Sequence, residues 1–202
     1  YDTCARCGWV DEPNAVRYPD VRSSTNDASI ADACARWPAR AAATAAALPL
    51  AVLSIAPTQQ LAGAGDYVID GTPLLAHVGH TLMAGMAAFP DWPNSSFARE
   101  RVEVLLMERA SDMPSGRVAL YVCAICADPL CGAFTADVER IGDRMVWSRI
   151  GDEHYDYRTP DSDEYEGWTL QPARGPAGFA FDANAYRATL LGALGASDAA
   201  RR

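Results

Sequence analysis

Residues 117–150, RVALYVCAICADPLCGAFTADVERIGDRMVWSRI, decide the fold of this chain. Apolar side chains alternate with other residues in three segments of this stretch, Arg117–Ala124, Ala133–Ile141 and Met145–Ile150. Gly142 and Asp143 form a typical tight turn, and short connections require neighbouring strands to run antiparallel. Because a further apolar run precedes them at Val102–Ala110, the sequence predicts a four-stranded antiparallel meander over residues 102–150.

The second segment of the meander shows the alternation most clearly. Its predicted faces are Val118, Leu120 and Val122 on one side and Ala119, Tyr121 and Cys123 on the other. The connection that follows it, Ile125–Gly132, contains two of the six cysteines.

Helices are predicted on both sides of the meander. The alanine-rich segment Ala39–Leu48 is typical of a helix, and Pro49 would end it. Thr72 can cap a further helix that has Pro73 at its first position, and Asp182 can cap the last helix of the chain.

These elements predict an α+β fold, because helices and strands are segregated along the sequence. Helices within residues 27–90 and 182–195 would pack on one face of the meander, and a highly acidic loop would occupy residues 152–166. We therefore expect a single domain over residues 26–202, preceded by an irregular cysteine-containing arm at residues 1–25.

Composition excludes several classes of protein. All 17 residues of the Lys and Arg total are Arg, so a Walker A lysine, a kinase strand lysine and Schiff-base chemistry are excluded. The 26 acids give a net charge of −9, which disfavours nucleic acid as a partner. No apolar run approaches the ~20 residues that span a bilayer, so we expect no membrane partner and a cytoplasmic location.

The cysteines carry the most specific pattern in the chain. Cys4 and Cys7 have the C-x2-C spacing, as do Cys123 and Cys126, and Cys131 lies nearby in sequence. A C-x2-C turn directs two thiolates at one point, and two such turns supply the four tetrahedral ligands that Zn²⁺ prefers. The sequence therefore predicts a structural zinc ion held by Cys4, Cys7, Cys123 and Cys126, with Cys131 as a substitute ligand.

Other readings of the same residues remain open at this stage. The cysteines could be buried small hydrophobic residues, could form disulfides in an oxidising compartment, or could form a redox dithiol at Cys123 and Cys126. His77 and His80, spaced three apart, could instead complete a Cys2His2 site with Cys4 and Cys7. A metal-dependent hydrolase would use those two histidines together with His154, which lies among acidic residues.

The tract from Tyr121 to Thr135, YVCAICADPLCGAFT, running on to Val146-Trp147, resembles a family of uncharacterised, mainly actinobacterial proteins. The resemblance covers about residues 100–190. It implies a strand, a C-x2-C-x4-C-G hairpin and a following strand pair that ends in Val-Trp.

The acidic loop suggests an interaction. Seven acids lie between Asp152 and Glu166, interleaved with three tyrosines, Tyr155, Tyr157 and Tyr165. Carboxylates steer a basic partner over long range, and tyrosines add contact area at low entropic cost. The sequence thus predicts a non-catalytic, zinc-stabilised interaction or accessory protein that binds a protein partner with a basic surface.

Overall fold

The computed structural model describes residues 39, 41–58, 64–79, 86–89, 96–111, 113, 115–123, 125–126, 128, 131–156 and 167–200. The chain divides into two compact units, Tyr1–Ala47 and Leu48–Arg202. In the first unit, residues 41–47 form helix α1, which lies within the helix predicted at Ala39–Leu48. The arm predicted at residues 1–25 lies outside the described residues.

The second unit has an α+β fold, which confirms the predicted class. Its strands are β1 (Leu53–Pro57), β2 (Gly65–Ile69), β3 (Thr72–Pro73), β4 (Met86–Ala87), β5 (Val118–Cys123), β6 (Ala133–Ile141), β7 (Arg144–Asp156), β8 (Gly167–Pro172) and β9 (Gly178–Asp182). Its helices are α2 (Leu74–His77), α3 (Ser96–Leu105) and α4 (Ala183–Ala200). No helix within the described residues is long and apolar enough to span a membrane.

A four-stranded meander was the wrong prediction for the sheet. Strands β5, β6 and β7 do form the expected antiparallel path, but they belong to a six-stranded sheet that begins at β4 and includes β8 and β9. No strand forms at the predicted first strand, Val102–Ala110: residues 102–105 belong to helix α3, and residues 106–109 form turns that follow it. Ala98, Val102 and Leu105 are spaced four and three residues apart and are all buried in the core, so the helical period prevails over the β-branched valines.

Strand β7 is 13 residues long, which allows it to pair with three other strands of this sheet. One edge of β7 pairs with β6, whereas its other edge is shared: β9 pairs with residues 144–148 and β8 with residues 151–156. A bulge between these halves contains Arg149, whose φ is +47°. The strand therefore continues through residues 152–156, which the sequence analysis wrongly placed in a loop.

A second sheet occupies part of the region that was predicted to be helical. Strands β1, β2 and β3 pair antiparallel in that order, so the helices predicted within residues 27–90 account for only part of that region. In the sequence, Gly63, Gly65 and the turn at residues 70–73 bracket a short strand at Tyr67–Ile69, and β2 confirms it. The predicted Thr72 cap is also wrong: Thr72 and Pro73 pair with β2, and the short helix α2 follows without a side-chain cap. Because Thr72 pairs with Ile69, Thr72 belongs to strand β3 and does not cap the helix.

Two buried clusters lie on opposite faces of β5 and β6. The larger one holds all eight of the buried aromatic side chains in the described residues, whereas the smaller one contains Ala119, Val122 and Ala133. A bulge between Ala119 and Tyr121 changes the predicted alternation, so Val118, Leu120 and Tyr121 all join the larger cluster.

The last helix begins as the sequence predicted. Asp182 Oδ1 accepts hydrogen bonds from the backbone N–H groups of Asn184, at 3.0 Å, and Ala185, at 2.8 Å. These bonds satisfy two of the amide groups that a helix leaves unpaired at its start. Helix α4 then extends to Ala200, beyond the predicted end at residue 195.

Candidate metal centre

Three cysteines meet at the connection between β5 and β6. Cys123 is the last residue of β5, Cys126 lies in the turn that follows, and Cys131 stands two residues before β6. The Cys131 N–H donates to the Asp128 carbonyl at 3.2 Å, which closes a turn. Gly132 then adopts a φ of +92°, in the left-handed region that favours glycine, and so directs the chain into β6.

The three thiol groups form a tight cluster. All three sulfur atoms lie within 4.8 Å of one another, and the Sγ atoms of Cys126 and Cys131 are 3.3 Å apart. None of the three forms a disulfide. Cys123 is partly buried, whereas Cys126 and Cys131 are exposed, so reagents and ions in solution can reach the cluster.

The local backbone favours a thiolate at Cys123. Hydrogen bonds from the backbone amides of Cys126 and then Ile125, with a further contribution from the Cys126 thiol, lower the pKa of Cys123. By contrast, the hydrogen bond with Cys126, followed by burial, raises the pKa of Cys131 to about 11. Of these two thiols, Cys123 therefore loses its proton more readily.

Two of the four predicted zinc ligands, Cys123 and Cys126, lie within the described residues. The structure brings them together, as the prediction requires, and it places the substitute ligand Cys131 in the same group. This group of three thiols could hold a metal ion. Cys4 and Cys7 lie outside the described residues, so their part in the site stays a prediction.

Neither of the two described histidines, His77 and His154, belongs to the group of three cysteines. The His77 ring meets the edge of Phe179, with ring centroids 5.4 Å apart, and its Nε2 lies 2.9 Å from the Ile69 carbonyl oxygen. His154 lies on β7 and is half-buried. His80 is outside the described residues, so both histidine-based readings stay untested.

The acidic segment has a different character from that predicted. Glu153 is buried, with 2% of its surface exposed, and its Oε2 lies 3.1 Å from Arg117 Nε. At least one of the seven acids therefore forms an ion pair inside the protein, where a binding partner does not reach it. Residues 157–166 are outside the described residues, and binding of a basic partner stays a prediction.

The charged group to which Glu153 belongs was not predicted from the sequence. Arg117 donates to Thr135 Oγ1 at 2.9 Å and to Asp137 Oδ1 at 2.8 Å, and Arg149 Nε donates to Asp137 Oδ2 at 2.6 Å. Burial lowers the pKa of Arg117, and the charge of Asp137 opposes that shift. Polar residues at alternate positions 135 and 137 of a predicted strand were the one available signal.

Comparison of the chain with protein-family models, curated proteins and solved structures gave no match. The resemblance to the actinobacterial family accordingly stays a prediction. The three-cysteine cluster is the feature of the described residues with the most specific chemistry, because soft thiolate donors select a narrow set of metal ions.

Proposed function

We propose that Cys123, Cys126 and Cys131 bind a structural zinc ion in a non-catalytic protein. The observation that carries this proposal is the convergence of three sulfur atoms within 4.8 Å. Zn²⁺ binds thiolates at about 2.3 Å, so two ligands of a tetrahedral ion lie about 3.8 Å apart. The cluster needs only small side-chain movements to reach that geometry.

The position of the cluster favours a structural role for the ion. Cys123 ends β5 and Cys131 precedes β6, so an ion between them would fix both ends of the connection. Zinc displaces protons from the thiols as it binds, and its binding free energy adds directly to the free energy of unfolding. We therefore expect zinc to stabilise the β5–β6 hairpin more than any other part of the chain.

Metal analysis of matched variants tests this proposal. We expect about one zinc ion per chain in the reduced wild-type protein, and loss of that ion with a lower melting temperature in Cys126→Ser and Cys131→Ser. Cys34→Ser is the matched control, since it removes a cysteine that lacks the C-x2-C spacing. Full zinc content in both hairpin variants, or none in wild-type protein supplied with zinc, would contradict the proposal.

A thiol-disulfide redox function is the second candidate. It is favoured by the 3.3 Å separation of the Cys126 and Cys131 sulfur atoms, both of which are exposed. In this reaction the two thiols would give two electrons and two protons to a disulfide substrate, forming a protein disulfide and two substrate thiols. Reversible loss of two titratable thiols with oxidised dithiothreitol, in a protein that binds no zinc, would support this function over the structural site.

The proposed binding of a protein partner with a basic surface is supported by the charge of the chain. With a net charge of −9, the protein should attract a basic surface at low ionic strength. We expect salt-sensitive binding to an arginine-rich peptide that weakens in the triple variant Asp161→Asn, Asp163→Asn, Glu164→Gln. Equal binding by the wild type and this variant would remove the acidic segment from the proposal.

A further inference from the structure

We propose that His154 is the fourth ligand of the zinc ion, which makes the site Cys3His. This inference rests on the proposed zinc function and names the residue that completes its coordination. Among the described residues, no carboxylate or imidazole already belongs to the cluster of sulfur atoms. Within the connection between β5 and β6, Asp128 is the one other residue with a side chain of a ligating type. A fourth protein ligand is therefore either Asp128 or a residue outside the connection.

The strand register puts His154 beside Gly132 and, when it is continued, in line with Cys123. Tyr121 of β5 and Phe134 of β6 are the last pair of their ladder, and the same register continued by two residues would bring Cys123 opposite Gly132. Ala133 pairs with Glu153 of β7, and one residue further a Cβ built on Gly132 would lie 3.9 Å from His154 Cβ. Continued in this way, the register aligns Cys123, Gly132 and His154 in one row.

All three positions of this row share one face of the sheet. Residues two apart on a strand point to the same side, and Cys123 and Gly132 are each two residues from the paired Tyr121 and Phe134. A Cβ atom built on Gly132 would lie 3.9 Å from His154 Cβ, which puts His154 on that same side. No other side chain in the row separates Cys123 from His154, because the middle residue is glycine.

The span across the row suits a shared metal ion. Neighbouring strands lie about 4.8 Å apart, so two steps across such a row correspond to a Cα–Cα separation of about 10 Å. Zinc bonds of about 2.3 Å to sulfur and 2.0–2.1 Å to nitrogen cover part of that distance. The remaining 5–6 Å or so is spanned by a thiol and an imidazole that lean toward each other over Gly132.

The donor chemistry agrees with this geometry. Three cysteines and one histidine form a recognised structural zinc set, in which a neutral imidazole binds through one ring nitrogen. His154 is half-buried, so the ion would close the cluster on the side facing the sheet while Cys126 and Cys131 remain toward solvent. The same ion would then join β7 to the β5–β6 connection.

X-ray absorption of the zinc-loaded full-length protein tests the assignment directly. We expect three sulfur ligands at about 2.3 Å and one nitrogen at about 2.0–2.1 Å. His154→Ala should lose the nitrogen signal and bind zinc at least about tenfold more weakly, because even outer-shell partners of a metal are worth about 10–100-fold in affinity. His77→Ala, which removes an imidazole bonded to Ile69, is the matched control and should retain wild-type affinity.

Rescue separates a ligand from a residue that only supports the fold. Free imidazole added to His154→Ala should restore the nitrogen signal and part of the lost affinity, whereas a structural defect would not respond. Wild-type affinity in His154→Ala, or a four-sulfur signal that disappears in the double variant Cys4→Ser, Cys7→Ser, would overturn the assignment. Such results would leave the three-cysteine zinc site standing, while absence of zinc from the wild type would remove both proposals.

Discussion

The two faces of strands β6 and β7 are both buried, but by opposite chemistry. On one face Trp147 packs edge-on against Tyr67, at 5.2 Å, and against Phe181, also at 5.2 Å. On the other face Arg117 contacts Thr135, Asp137 and Glu153 through charge-assisted hydrogen bonds. The first face is stabilised by removal of apolar surface from water, the second by satisfied charges.

The two faces of β6 and β7 differ in how directional their contacts are. The hydrophobic effect is non-directional, whereas the guanidinium of Arg117 needs its partners at fixed positions on β6 and β7. Its Nη2 also donates to the Arg149 carbonyl, inside the β7 bulge. We therefore expect the aromatic face to supply most of the stability and the charged face to add directional contacts between the strands.

Truncation of the aromatic face should have the largest effect. Trp147 is fully buried, and its Nε1 donates to the Tyr186 hydroxyl at 3.1 Å. We expect Trp147→Ala to lower the free energy of unfolding by about 3–5 kcal/mol, through lost burial and a cavity. Denaturant unfolding measures this value, and Trp147→Phe should recover much of it; a loss below about 1 kcal/mol would contradict the central place given to this side chain.

Removal of the central cation should cost somewhat less. Arg117→Met leaves Glu153 without its guanidinium, but Asp137 keeps Arg149, so we expect a loss of about 3 kcal/mol, the lower end for a broken buried ion pair. The exposed Arg109, which pairs with Glu100 at 3.4 Å, provides the control. Arg109→Met should cost less than about 1 kcal/mol by denaturant unfolding. Equal losses in the two variants would show that burial of the charged face contributes little.

The third prediction concerns Asp66, an acidic residue beside the aromatic face. Its Oδ1 accepts hydrogen bonds from the Tyr121 hydroxyl at 2.6 Å and the Tyr67 N–H at 2.8 Å. Burial raises the pKa of Asp66 above 3.8, and these two hydrogen bonds only partly offset the shift. The native state therefore holds this proton more tightly than the unfolded chain does, and stability falls as pH rises from about 3.8 through the raised value.

Asp66→Asn should remove that fall, because the amide oxygen still accepts both bonds but carries no charge. The measurement is the melting temperature of both proteins across the acidic range. The expected effect is the smallest of the three, and it appears as a difference in slope with pH. Parallel profiles for the two proteins would show that Asp66 does not titrate differently in the folded state.

Local patterns predicted the elements that depend on near neighbours. Alternation located β5, β6 and the first half of β7, and Asp182 was correctly predicted to cap the last helix. The C-x2-C spacing indicated that Cys123 and Cys126 lie close together, and their sulfur atoms are within 4.8 Å of each other. The same patterns failed at Val102, where β-branched residues suit either element, and at Leu120, where a bulge interrupts the alternation.

The sequence alone determined that the chain lacks lysine, carries excess acid and has a hairpin with clustered cysteines. Only the tertiary structure decided that Glu153 is buried against Arg117 and that His154 lies beside Gly132. The physical reason is distance along the chain: composition and turn chemistry act over a few residues, whereas these pairs join residues more than 20 positions apart. Their contacts exist only once strand register and bulges have been fixed by the packing of the whole sheet.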